Sequence, residues 1–176
     1  MRLSVIVPAY NAHALLDRCL QSLAASEFGA YDCIVVDDAS TDDTRALAAK
    51  HGVTVIALDR NGGPARARNR GAEAAHGEIL VFIDSDVCVH PDTLSRIDAH
   101  FRDHPSTDAL MGSYDDTPAH PAFVSQYKNL FHHYVHHRSS SEAWTFWAGC
   151  GAMRRAVFLK FGGFDESYTR PCIEDI

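Results

Sequence analysis

Four short apolar runs most constrain how this chain folds. Leu3–Val7, Cys33–Val36, Val53–Leu58 and Ile79–Ile83 are rich in Val, Ile and Leu, and amphipathic stretches separate them. Continuous rather than alternating apolar runs are what a parallel sheet needs when both of its faces are covered. The segments between the runs read as helices. Leu15, Leu16, Cys19, Leu20 and Leu23 trace one stripe at a 3.6-residue period, with Asn11 as its expected N-cap. A second helix is expected from Ser40/Thr41, where Ser40 and Asp43 have near-capping-box spacing, and a third over about Pro64 to Ala75. Alternating strands and helices predict an α/β fold, a Rossmann-like, doubly wound and mostly parallel sheet flanked by helices.

Beyond Asp86 the rhythm loosens. A helix opening at Pro91, a strand over Ala109–Ser113 and a helix over Phe123–His137 are expected. A strand over Thr145–Met153 and a short helix over Arg154–Phe161 follow. At 176 residues, 46% of them hydrophobic, the chain reads as a single domain over 1–176 with one core. A formal charge of −7 argues against a general nucleic-acid binder. No apolar run approaches the roughly 18–20 residues of a bilayer-spanning helix. The five cysteines form no CxxC pair and read as reduced thiols of a cytoplasmic protein.

In open α/β sheets, ligands sit at the carboxyl ends of the strands. The polar clusters of this sequence fall there: Pro8-Ala9-Tyr10-Asn11 after the first run, Asp37-Asp38-Ala39-Ser40 after the second, and Asp84-Ser85-Asp86 after the fourth. Each cluster alone is explained by ordinary helix capping. Three together point to one binding rim. In an extended chain Asp84 and Asp86 project to the same side, a costly arrangement of like charges unless a cation lies between them. Oxygen-only donors suit Mg²⁺ or Mn²⁺. Neither a G-x-G-x-x-G after the first strand nor a Walker A motif is present, which removes the main support for dinucleotide oxidoreduction and P-loop hydrolysis. Asn61-Gly62-Gly63-Pro64 opens the Arg-rich third helix, whose Arg66 and Arg70 serve either a diphosphate or the solvent.

Taken in order, Val5–Asn11, Val35–Asp42, Ala67–Gly71, Phe82–Asp86, Trp147–Ala152, Gly162–Glu166 and Glu174-Asp175 resemble the family 2 glycosyltransferases with a GT-A fold. The resemblance implies an inverting, metal-dependent transfer of a sugar from a nucleoside diphosphate sugar, commonly UDP-linked, to a carbohydrate or lipid acceptor hydroxyl. It implies that Pro8, Ala9, Tyr10 and Asn11 line the nucleoside pocket and that Asp38 hydrogen-bonds the base. It also implies donor contacts for Asn69, Asp84, Ser85 and Asp86, with Asp84 and Asp86 holding Mn²⁺ or Mg²⁺. Gly149, Cys150, Gly151 and Glu174 are implied in the donor and acceptor wall, and Asp175 as the catalytic base. The family pattern continues past the acidic motif, so the sequence reads as an N-terminal piece; membrane association through missing segments, and a homodimer, stay open. A nucleotide-sugar-binding module without transferase activity is the alternative. A nucleotidyltransferase would want a Gly-rich, basic first loop, which Pro8–Asn11 does not offer.

One stretch stands outside this pattern. Phe131–Arg138 carries His132/His136 and His133/His137 as i,i+4 pairs, a spacing able to chelate zinc, although no third ligand is fixed beside them. A lining of the acceptor cleft, or a membrane-surface face with Phe131, Tyr134 and Trp144, are the other readings.

Overall fold

A computed structural model of the protein describes residues 1–118, 120–139 and 145–168. Its elements run β1 (Leu3–Ala9), α1 (His13–Ala24), β2 (Tyr31–Asp37), α2 (Thr44–Lys50), β3 (Thr54–Ala57), α3 (Pro64–Ala74), β4 (Ile79–Ile83), α4 (Thr93–Asp103), β5 (Ala109–Met111), α5 (Phe123–Arg138), β6 (Cys150–Arg154) and α6 (Arg155–Lys160). They build one six-stranded sheet in the order β3-β2-β1-β4-β6-β5. The first four strands are parallel, and β6 lies antiparallel between β4 and β5.

The apolar runs are explained by what covers each face. Ile79, Val81 and Ile83 of β4 join Leu16, Leu20, Leu94 and Phe101 in one core layer. Leu80 and Phe82 point the other way, into a layer with Ile6, Val36, Ala67 and Phe158. Both faces of β1 and β4 are therefore dry, and alternation disappears. At the sheet edge, β3 is shorter than its apolar run and partly open to solvent. The alanines of α3 let it approach the sheet closely. At Gly71 a Cβ would stand 2.4 Å from Ile6 Cγ2, so only glycine fits against that strand.

Two expected helix starts are corrected. Asn11 does not cap α1: Ala12 holds that position, and Asn11 has φ +48°. Its side-chain carbonyl instead accepts from the Thr41 backbone N–H at 2.8 Å. Helix α2 begins at Thr44, not Ser40, and Asp43 makes no capping bond. The Ser40 hydroxyl accepts from the Asn11 N–H at 3.0 Å, so the polar side chains that read as caps tie two rim loops to each other. The strand expected over Thr145–Met153 also starts late, at Cys150. Before it the chain turns back so tightly that a Cβ on Gly149 would lie 2.5 Å from the Trp147 ring.

Cys19 is buried, and Cys33 and Cys150 are half-buried, whereas Cys88 is exposed. Burial pushes the Cys33 thiol up to about 12 and the Cys150 thiol up to about 11. Thiolate is the reactive form. Iodoacetamide at pH 8 is therefore expected to modify Cys88 well ahead of Cys19, Cys33 and Cys150, as peptide mass mapping would read. Labelling of Cys150 at the rate of Cys88 would show that the rim beside β6 is open.

Candidate active site

The parallel strands deliver their carboxyl ends to one rim, and antiparallel β6 brings its amino end to the same place. Cys150 pairs with Ile83, and the Asp84 N–H donates to the Gly149 carbonyl at 3.0 Å. Gly149 and Cys150 thus stand beside the start of the Asp84–Asp86 segment, and Gly151 pairs with Phe82. On the other flank of β4, the β1 end supplies half-buried Pro8, buried Ala9 and exposed Tyr10.

Asp38 is 3% exposed, and its carboxylate is occupied within the protein. Oδ1 accepts from the Gly62 N–H at 2.9 Å and Oδ2 from the Gly63 N–H at 2.8 Å. The β2 end thereby fixes the Asn61–Gly63 loop that opens α3, where Gly63 needs φ +88°. Neighbouring Asp37 accepts from the Ser40 N–H at 3.2 Å.

The segment after β4 is a turn, not extended chain: the Val87 N–H donates to the Asp84 carbonyl at 3.0 Å. The same-side argument for Asp84 and Asp86 thus rests on a backbone form that the segment does not adopt. Burial and, after it, the charges of Asp86 and Asp84 raise the Tyr114 hydroxyl above the ordinary tyrosine range. Asp86 is exposed and Ser85 half-buried.

Sequence reasoning missed Arg68. It is 3% exposed, and its guanidinium pairs with Asp84 Oδ1 at 2.8 Å. Arg66 and Arg70, the more visible residues, engage Asp59 and Glu73 at the surface and belong to the scaffold. The signal available in advance was the alanine pattern of α3: Ala65, Ala67 and Ala72 mark its buried face, and Arg68 lies beside it. Asn69, the next residue, clasps the glycine-rich segment. Its Nδ2 donates to the Phe164 carbonyl at 2.9 Å and to Glu166 Oε1 at 3.0 Å, and its Oδ1 accepts from the Phe164 N–H at 2.9 Å. Gly163 approaches so closely that a Cβ there would stand 2.5 Å from Asn69 Oδ1.

Tyr114 was also missed, since no motif surrounds it. Its ring stacks between Trp147 and His132, with centroids 5.4 Å away on each side. His136 leans on Trp147 at 5.3 Å, and burial, followed by its three histidine neighbours, holds it below the usual histidine value. The histidine pairs make contacts with the protein itself. His133 Nδ1 bonds the Tyr114 carbonyl at 2.7 Å, and among the described residues no group of three or more ligating side chains gathers. Glu174 and Asp175 lie outside the described residues, as does Trp144.

By donor chemistry Asp84 and Asp86 suit a hard divalent cation, and among the described residues no third carboxylate, histidine or cysteine gathers with them. Both side chains offer oxygen only, Asp86 faces solvent, and Arg68 already compensates one oxygen of Asp84. Among the described residues no helix is long and apolar enough to cross a membrane.

Comparison with known proteins converges on one group. Succinoglycan biosynthesis protein ExoO of Rhizobium meliloti (strain 1021) is 44% identical over 95 residues, 52% of this chain and 27% of its own. The poly(ribitol-phosphate) beta-N-acetylglucosaminyltransferase TarS of Staphylococcus aureus (strain Mu50 / ATCC 700699) is 37% identical over 118 residues, 63% of this chain and 20% of its own. The crystal structure of TarS 1–349 in complex with UDP superposes with a TM-score of 0.78 at 26% identity, over 99% of this chain and 53% of that one. The mannosyltransferase PcManGT from Pyrobaculum calidifontis, in complex with GDP-Man and Mn²⁺, gives 0.77 at 26% identity, over 99% of this chain and 49% of that one. The chain thus spans about a quarter of these curated relatives and about half of the solved chains. The family model for glycosyl transferase family 2 matches residues 4–162, nearly the whole length, and the chain belongs to that family.

Proposed function

We propose that this chain forms the catalytic domain of an inverting, metal-dependent glycosyltransferase that uses a UDP-linked donor and a carbohydrate or lipid hydroxyl as acceptor, acting in the cytoplasm. The observation that carries the reading is the meeting, at one rim, of the Asp84–Asp86 turn, the Arg68 ion pair and the amino end of β6. TarS in complex with UDP and PcManGT in complex with GDP-Man and Mn²⁺ support it as relatives in fold.

In this reading Pro8, Ala9, Tyr10 and Asn11 bound the nucleoside. Asp38 presents the Gly62–Gly63 loop to the base, and its own bond to the base would draw on the acceptor capacity left beyond those two amides. Asp84 and Asp86 would hold Mn²⁺ or Mg²⁺, with Ser85 between them. When bound, the ion offsets charge that develops on the departing diphosphate. Arg68 supports the same charge balance from behind Asp84, and Asn69 fixes the glycine-rich segment that leads toward Glu174 and Asp175. Gly149, Cys150 and Gly151 form the wall along the sugar, where a side chain on Gly151 would collide with the Phe146 ring at 2.6 Å. The acceptor oxygen attacks the anomeric carbon, and the bond from that carbon to the diphosphate oxygen breaks with its electron pair. Asp175 takes the acceptor proton. One displacement inverts the anomeric configuration.

A thermal-shift panel of UDP, GDP and dTDP, each with Mn²⁺ and with EDTA, tests this. One nucleotide at a hundredfold excess over its Kd is expected to stabilise the protein by about 2.7 kcal/mol, and only with the metal. No shift for any nucleotide in the presence of Mn²⁺ overturns the proposal. A preference for GDP replaces the UDP assignment and leaves the reaction class standing.

A further inference from the structure

Helix α5 is built inside out. The side it turns to the protein is polar: Asn129 Nδ2 donates to the Asp115 carbonyl at 2.8 Å, His133 bonds the Tyr114 carbonyl, and His132 and His136 lie against the Tyr114 ring. Its outer side carries Phe123, Val124, Tyr127, Leu130, Phe131 and Tyr134, all exposed, with Phe123 at 80%. At about 100° per residue these six fall within an arc of about 120°, the width of a buried stripe on an ordinary surface helix. No residue of α5 is buried. Phe123 stacks on Tyr127 and Tyr127 on Phe131, at 6.3 and 6.1 Å, so the stripe is one continuous aromatic ridge.

Charge selects the occupant. The chain carries −7 overall, yet α5 holds no acidic residue, only Lys128, Arg138 and four histidines. Arg138 lies over the Tyr134 ring at 5.6 Å, at the edge of the ridge. In the segment that α5 packs against, Asp115 is paired with His90 and Asp116 is exposed. An aromatic ridge bordered by basic side chains matches a lipid interface with anionic headgroups, where rings sit at headgroup depth and cations meet phosphate.

We propose that α5 docks this domain onto an anionic bilayer surface, and so holds the Tyr114–Trp147 side of the rim close to the membrane. This goes beyond the transferase reading and is tested without it. The protein is sedimented with vesicles of phosphatidylcholine containing 30% phosphatidylglycerol, and with phosphatidylcholine alone. Binding to the mixed vesicles is expected, and each basic side chain near an anionic leaflet strengthens binding about fivefold, so Lys128→Glu with Arg138→Glu weakens it more than about 25-fold. Tyr127→Ser with Phe131→Ser is expected to weaken it at least about tenfold. Both pairs are exposed, and circular dichroism melting verifies that the variants fold. Wild type left in the supernatant with mixed vesicles, or variants that bind as wild type does, overturn the proposal. So does a dimer in light scattering that the Tyr127→Ser/Phe131→Ser pair dissolves, since a second copy would then cover the ridge.

Discussion

Asp86→Ala is expected to abolish the Mn²⁺-dependent part of nucleotide binding and to lower sugar transfer by about a hundredfold to a thousandfold, the range seen when one group that stabilises developing charge is lost. Asp86 is exposed and makes no hydrogen bond or ion pair among the described residues, so the fold should be unaffected, within about 0.5 kcal/mol. That separation makes the variant informative. Asp84→Ala removes a carboxylate too, but it also strips a partner from buried Arg68, so its losses mix binding with stability. Asp175→Asn is expected to do the reverse of Asp86→Ala: metal-linked nucleotide binding persists while transfer stops. Calorimetry for binding and product formation for transfer read the two variants. An Asp86→Ala protein that binds nucleotide as well with Mn²⁺ as wild type does would remove the metal from the rim.

Asp38→Ala is expected to have the largest effect on stability. The carboxylate is nearly fully buried and takes the Gly62 and Gly63 amides in one grip. Its removal leaves two backbone donors without their acceptor and loosens a glycine turn that is otherwise tied to the β2 end by the Asn61 Nδ2 bond to the Asp38 carbonyl at 3.3 Å. Charge-assisted bonds of this kind contribute about 1.5–3 kcal/mol each, so a loss of about 3 kcal/mol is expected, a fall in Tm on the order of 10 °C. Asp38→Asn keeps one acceptor and should recover part of it. Both are measured by denaturant melts in the absence of nucleotide. A melt unchanged in Asp38→Ala would mean that the carboxylate serves the ligand alone.

Much of this architecture is legible in the sequence because burial on both faces leaves a plain mark. The run Ile79–Ile83 reads as a central strand since both layers of the core need it apolar. The rim clusters are equally visible, because polar residues directly after such runs have few other reasons to occur together. What escapes is pairing across the chain. Asn11 and Ser40 look like caps, and capping is a local event, whereas their actual partners lie across the rim in each other's loops. Arg68 looks like one more basic residue on a surface helix, and only the position of α3 against β1 turns it inward. Tyr114 joins the rim through the fold-back of Trp147 and the approach of α5, neither of which a local pattern announces. Helix α5 itself is correctly placed by its periodicity. That Phe131 and Tyr134 face outward is one of the readings the sequence leaves open, and it is not chosen there because the histidine spacing fits a metal pair or a cleft lining as well.

Everything in the catalytic reading depends on a divalent ion joining the Asp84–Asp86 turn to a nucleoside diphosphate. Titration calorimetry of UDP into the protein, once with Mn²⁺ and once with EDTA, addresses that link directly. Saturable binding with Mn²⁺ that disappears with EDTA, and that Asp86→Ala eliminates, is what this site should give. Equal binding under both conditions, or none with Mn²⁺ for UDP, GDP and dTDP alike, would mean that the carboxylates after β4 do something else.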